Sequence, residues 1–187
     1  MQAPTAADIK QILVETPDTM FLTVSRKAAM LLNKWSVEAL FAGVRPLATV
    51  PISADENEEQ VSVPVYTGMR ITLTKNLNKK IGHVNGMGAT FLSLHRSGLL
   101  VRTDQGRKIM VHLWTDEYGV SAFPFRLGYA STLHKVQGAT LRHITLWLDL
   151  PNMPAAGYVA LSRVQKDAHW RYIGDPTRHH FTPARFD

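Results

Sequence analysis

The sequence contains no cysteine. That excludes disulfides and any thiolate-based zinc or redox centre, and it suits a reducing, intracellular setting. No apolar run approaches the ~20 residues a membrane span requires, so no membrane partner is expected. The opening MQAPTAADIKQILVETPD carries Asp8, Glu15 and Asp18 without a continuous apolar segment and does not read as a secretory signal. No Lys is followed by Ser or Thr. A loop of backbone N–H groups around a triphosphate, with its Lys-Ser/Thr pair for phosphate and magnesium, is therefore missing rather than disguised. There is no G-x-S-x-G elbow to support acyl transfer. GHVNGMGA (82–89) is glycine-rich but lacks G-x-G-x-x-G spacing and opens no helix; tight turns account for Gly82, Gly86 and Gly88. His179 and His180 stand without ligand spacing around them, and no metal site is expected.

What is present is ordinary globular composition, 45% hydrophobic and 19% charged over 187 residues, enough for one core with a small inserted lobe. The formal charge of +6 is uneven. Residues 1–60 hold five Lys/Arg against eight Asp/Glu, a net of −3, whereas residues 61–187 hold sixteen against seven, a net of +9. A basic second part suits a polyanion.

The apolar, β-branched MFLTVS (20–25) reads as a buried strand. It leads into RKAAMLLNKWSVEALFAG, where Ala28, Leu31, Leu32, Trp35, Ala39 and Leu40 recur at helical spacing, with Ser25 to cap and Gly43 to end. SADENEEQ (53–60) has no apolar period and reads as a solvated linker. Between residues 61 and 115 come short strand candidates, MRITLT, ATFLSL, LLVRT and KIMVHLW, separated by glycine-bearing turns, with DQG (104–106) as a hairpin connection. Strand–helix alternation then resumes through HITLWLDL, PAAGYVALSRV and HWRYIG. The expected class is α/β with a largely parallel sheet, interrupted by a small antiparallel barrel. The expected parts are residues 1–60, the barrel at 61–120, and the remainder at 121–187. IMVHLWTDE (109–117) imitates a strand ending in a magnesium-binding pair, but with no phosphate loop upstream Asp116 and Glu117 read as surface charges.

Two stretches carry chemistry, YASTLHKVQGATL (129–141) and GYVALSRVQ (157–165). His134, Lys135, Gln137 and Gly138 gain nothing from a core, so the first reads as a loop meeting something anionic. A helix over 154–164 places Arg163 near its C-terminal end, either as a charge on the helix dipole or as a guanidinium fork for a phosphate.

In order and spacing the two stretches resemble motifs V and VI of superfamily-one DNA helicases of the Pif and RecD type. GMRITLTKNLNKKIGHVNGMGATF (68–91) resembles the family's approach to its inserted barrel, YIGDPTRHHFTP (172–183) its close, and TVSRKAAMLLN (23–33), more loosely, a motif IV segment. The resemblance implies the second of two RecA-like (P-loop-NTPase-type) motor domains, with an inserted Src-homology-3-like barrel. ATP and Mg²⁺ would then bind between it and an N-terminal RecA-like domain, and neither is expected on this chain alone. It implies Arg163 as the finger on the transferring γ-phosphate, with Gly138, Gln137 and Arg26 near the nucleotide. His134 and Lys135 would lie along single-stranded DNA, with Thr132 and Ser131 donating hydroxyl hydrogen bonds to the same phosphates. Val136 stands where many relatives carry Ser. The same residues also allow a stand-alone nucleic-acid-binding or protein-interaction module that has kept a helicase half without the motor.

Overall fold

A buried β-branched run followed by a capped amphipathic helix is how this chain starts its main sheet. The computed structural model describes residues 3–53, 60–138 and 140–184. In chain order the elements are α1 (Ala6–Glu15), β1 (Thr19–Thr23), α2 (Arg26–Leu40), β2 (Ala48–Ile52), β3 (Val61–Val65), β4 (Arg70–Leu73), β5 (Gly88–His95), β6 (Gly98–Thr103) and β7 (Lys108–Val111). They continue with β8 (Trp114–Thr115), β9 (Ser121–Ala122), β10 (Phe125–Leu127), β11 (Ala130–Thr132), β12 (His143–Trp147), α3 (Ala156–Leu161) and β13 (Trp170–Tyr172). The acidic linker falls almost wholly outside the described residues.

The chain forms two units, one of residues 1–42 and 129–187, the other of residues 43–128. The sequence placed the interruption at 61–120. The difference arises at β2, whose five residues pair antiparallel with β3 from Ala48↔Val65 to Ile52↔Val61 and so belong to the second unit.

In the first unit four strands run parallel in the order β11-β1-β12-β13. Phe21 and Leu22 of β1 are wholly buried, as a central strand covered on both faces requires. Leu22 shares a core with Leu133, Val136, Ile144, Leu146, Leu148, Ala156 and Ala160. Ser25 caps α2, its hydroxyl accepting from the Ala28 N–H at 3.1 Å. The outer edge of β11 is closed by an α2 side chain: Asn33 donates to the Ala130 carbonyl (3.0 Å), while its Oδ1 accepts from the N–H groups of Tyr129 and Ala130 (both 2.9 Å). An edge strand satisfied in this way offers no row of free groups to a stray strand. Near the C-terminus, His180 is fully buried. Its Nδ1 accepts from the Thr177 N–H at 2.9 Å, which leaves Nε2 to donate to the Leu150 carbonyl at 2.6 Å. His180 is thus a staple rather than a ligand, and it seats Phe181 against Tyr158, ring centroids 6.0 Å apart.

The second unit holds a five-stranded antiparallel sheet, β10-β4-β5-β6-β7, with the ribbons β2–β3 and β8–β9 beside it in sequence. The ladder leaves β10 and β7 at its edges, and no pairing among the described residues closes it into a barrel. The expected DQG hairpin joins β6 to β7, with Gly106 at φ +83° and its N–H bonded to the Thr103 carbonyl at 2.8 Å. Gly82 and Gly86 occupy turns at φ +90° and +88°. Gly88 has a different reason: it opens β5, and a Cβ there would lie 2.2 Å from the Asp104 carboxylate that forks onto Arg70. Asp116 is a turn cap, its Oδ1 accepting from the N–H groups of Tyr118 and Val120.

Two histidines, His83 buried and His143 half-buried, make stability pH-dependent. Burial holds His83 below its ordinary value of 6.5; burial and then the Arg171 and His169 charges do the same for His143. Both groups bind protons more weakly folded than unfolded, so the unfolded chain takes up protons first as pH falls. Their contribution is complete above pH 6.5 and declines below it. Melting curves between pH 7.5 and 5.5 should show a midpoint that drops on acidification, and a midpoint that holds or rises contradicts the assignment.

Candidate functional site

Parallel strands carry their ligands at their carboxyl ends, and three such ends meet in the first unit. β1 delivers Val24, Ser25 and the start of α2; β11 delivers residues 133–138; β12 delivers Leu148 and Asp149. The connections are tied to one another through the backbone. The Leu133 N–H donates to the Thr23 carbonyl at 2.9 Å. Asp149 Oδ1 accepts from the N–H groups of Val24 (2.8 Å) and Ser25 (3.2 Å), so its carboxylate fixes the strand–helix junction from the neighbouring strand.

The segment 133–138 is a succession of turns, with Lys135 N–H bonded to the Thr132 carbonyl (3.1 Å) and Gln137 N–H to that of His134 (3.3 Å). Leu133 and Val136 drop into the core, while His134, Lys135, Gln137 and Gly138 are exposed. Val136 is therefore the apolar peg that holds this turn down. Gly138 has φ +83° with nothing within 4 Å of the position a Cβ would take. Glycine is there for its conformation, and the open space beside it lets another molecule approach the backbone.

Arg163 is tied through the backbone to the segment between this turn and β12. Its carbonyl accepts from the Leu141 N–H at 2.8 Å, and its neighbours Leu161 and Val164 pack on the same core as Leu133 and Val136. The helix carrying it is shorter than the expected 154–164. α3 begins after the left-handed Ala155 (φ +61°) and ends at Leu161, and the tighter bonds Arg163 N–H to Ala160 and Val164 N–H to Leu161 carry the chain onward. The half-buried guanidinium donates through Nε to the Val159 carbonyl (3.2 Å) and through Nη2 to Ser162 Oγ (2.6 Å). Among the described residues no carboxylate pairs with it.

The other expected residues divide. Arg26 is exposed in the first turn of α2 beside Lys27, and that turn holds no acidic residue. The anion at this helix end is the Asp149 carboxylate on the Val24 and Ser25 N–H groups, and it offsets the two cations in the first turn. Ser131 and Thr132 are a correction. Both lie in β11, 7% exposed, paired in register with Leu22 and Thr23, and Ser131 Oγ is enclosed without a partner. They wall the sheet and do not face solvent. Asp149 and Ser162 support these segments: each reaches a backbone or a guanidinium that its own sequence neighbourhood does not reveal. No group of three His, Asp or Glu is placed to hold a metal ion, and no helix is long and apolar enough to cross a membrane, among the described residues.

A parallel sheet with a basic glycine turn at the carboxyl ends of its strands fits the fold of a RecA-like helicase domain. No family model matches the sequence. An ATP-dependent DNA helicase Pif1 from Bdellovibrio bacteriovorus is 38% identical over 102 residues, which is 49% of this chain and 23% of that protein. The crystal structure of Pif1 helicase from Candida albicans overlays with a TM-score of 0.67 at 20% identity, covering 98% of this chain and 52% of its own. Bacteroides Pif1 bound to ssDNA overlays at 0.65 and 19% identity, covering 96% and 48%. Over about half its length the chain is similar in sequence to a Pif-type helicase, and it shares the fold of these Pif1 structures; it spans about a quarter of the Bdellovibrio relative and about half of the two solved chains.

Proposed function

We propose that this chain is the C-terminal motor half of a Pif-type ATP-dependent DNA helicase, with the antiparallel unit of residues 43–128 inserted in it. The observation that carries the reading is the backbone bond between Leu141 and Arg163, which ties an arginine with no carboxylate partner among the described residues to the segment that follows the turn of His134–Gly138. In this reading Arg163 leaves Ser162 to meet the γ-phosphate of an ATP whose β- and γ-phosphates and Mg²⁺ are held by an N-terminal RecA-like domain. A guanidinium suits that task because its fork matches phosphate oxygens and it stays charged. The open backbone at Gly138, with Gln137 beside it, faces the same nucleotide. Arg26 and the first N–H groups of α2 supply a second phosphate contact.

His134 and Lys135, on the same short turn, contact backbone phosphates of single-stranded DNA. Phosphate contacts give affinity without sequence preference. A six-residue turn with the nucleotide at its glycine and the strand at its histidine and lysine links hydrolysis to grip, since moving one end moves the other.

With no phosphate loop of its own, the chain alone should hydrolyse no ATP above background, with or without single-stranded DNA and Mg²⁺. Joined to the phosphate-loop domain of a Pif-type helicase it should gain DNA-stimulated hydrolysis. Magnesium-dependent turnover by the isolated chain overturns the proposal. Steeply salt-dependent DNA binding with no gain of hydrolysis on joining favours the stand-alone binding module.

A further inference from the structure

From Val61 to Thr103 the chain holds six Lys/Arg and not one Asp or Glu. Within that span the connection from β4 to β5 is a built excursion rather than a slack loop. It is closed at its base by paired bonds between Leu73 and residues 86 and 87: Leu73 N–H to the Met87 carbonyl and Gly86 N–H to the Leu73 carbonyl, both 2.8 Å. Midway, Asn78 and His83 exchange backbone bonds of 3.0 and 2.9 Å. Asn76 Oδ1 accepts from the Asn85 N–H (3.0 Å), and Asn78 Oδ1 from the Lys80 N–H (3.1 Å). His83, 4% exposed, is packed beneath with Nε2 3.4 Å from the Thr74 carbonyl. From the next hairpin Arg107 donates to the Lys80 carbonyl at 2.7 Å.

What this scaffold displays is unusual. Leu77 is 46% exposed and Ile81 42% exposed, with Lys79 and Lys80 between them and no carboxylate paired to either lysine among the described residues. Lys75 does not join them, because its ammonium lies 3.9 Å over the Trp114 ring. Two exposed aliphatic side chains and two exposed lysines thus share one braced tip.

We propose that residues 77–81 form a nucleic-acid wedge: Lys79 and Lys80 hold backbone phosphates while Leu77 and Ile81 press between bases at a junction of paired and unpaired strands. Aliphatic side chains inserted at a base step unstack it, and a braced tip does so without first being ordered. A lipid surface is the weaker match, since two apolar side chains and two lysines fall short of the combined signals that stable membrane anchoring takes. The inference rests on the second unit alone and goes beyond the motor reading. It needs neither nucleotide nor Arg163, so it can fail while that reading stands.

The test uses the full chain and a forked DNA with 2-aminopurine at the junction. Binding should raise the 2-aminopurine fluorescence, and Leu77→Ala with Ile81→Ala should bind the fork yet lose the rise. Lys79→Ala with Lys80→Ala should reduce the slope of log affinity against log salt by roughly 2. Because all four side chains are exposed, melting midpoints should match the parent, and the single variants Ile81→Ser and Lys80→Gln serve as a second set. Absence of a rise with the parent chain overturns the wedge, as does an undiminished rise in the Leu77/Ile81 variant. An unchanged salt slope overturns the phosphate contacts, and tighter binding to phosphatidylserine vesicles than to the fork overturns the choice of ligand.

Discussion

Replacing Arg163 by Ala, in this chain joined to a phosphate-loop domain, is expected to lower ATP turnover by about 10³ to 10⁵, the range an arginine finger contributes. The loss should fall on kcat, because charge accumulates on the γ-phosphate only in the transition state. Single-stranded DNA binding should be nearly unchanged, since His134 and Lys135 remain. The melting midpoint should also hold: among the described residues the guanidinium bonds Ser162 and the Val159 carbonyl alone, on a solvent-accessible turn. Arg163→Lys should not restore turnover, as an ammonium cannot reproduce the fork. Steady-state ATPase assays check this, and a large loss of DNA affinity with turnover preserved would move Arg163 to the strand.

The second large effect is structural. Asp149→Ala removes the acceptor of two backbone N–H groups, those of Val24 and Ser25. Hydrogen bonds to charged groups contribute about 1.5–3 kcal/mol each, so a loss of about 3 kcal/mol or more is expected, lowering the midpoint of the first unit by roughly 12–24 °C. Asp149→Asn keeps an acceptor at Oδ1 and should lose much less. Differential scanning calorimetry separates the two variants. Equal loss in both assigns the effect to charge rather than to the acceptor.

Much of this fold was legible because it is written locally. The β1–α2 junction announced itself through an apolar run, a capping Ser25 and a helical period, and the β6–β7 hairpin through DQG. Arg163 and the 134–138 turn were legible as a pattern of polar residues at positions where a core has no use for them. What stayed hidden depends on distant chain. Asp149 reaches residues 124 and 125 positions away, and nothing beside it in sequence betrays that. Gly88 is small because of Asp104, across the sheet. The second unit began earlier than expected because β2 and β3 carry Pro51 and Pro64, and proline inside a strand weakens its signature. α3 was drawn too long because apolar spacing cannot register a left-handed Ala155 at its start. Ser131 and Thr132 were given to the strand because hydroxyls look alike whether they face solvent or line a sheet.

The central claim is that Arg163 and the Gly138 turn serve one triphosphate held by another domain. The direct measurement is the structure of this chain joined to a phosphate-loop domain, with Mg²⁺, an aluminium fluoride analogue of the γ-phosphate and single-stranded DNA. The account predicts the Arg163 guanidinium within about 2.7–2.9 Å of the analogue, as a charge-assisted hydrogen bond requires, with Ser162 released and Lys135 on the strand. A guanidinium still bound to Ser162 and turned away from the occupied nucleotide would contradict it.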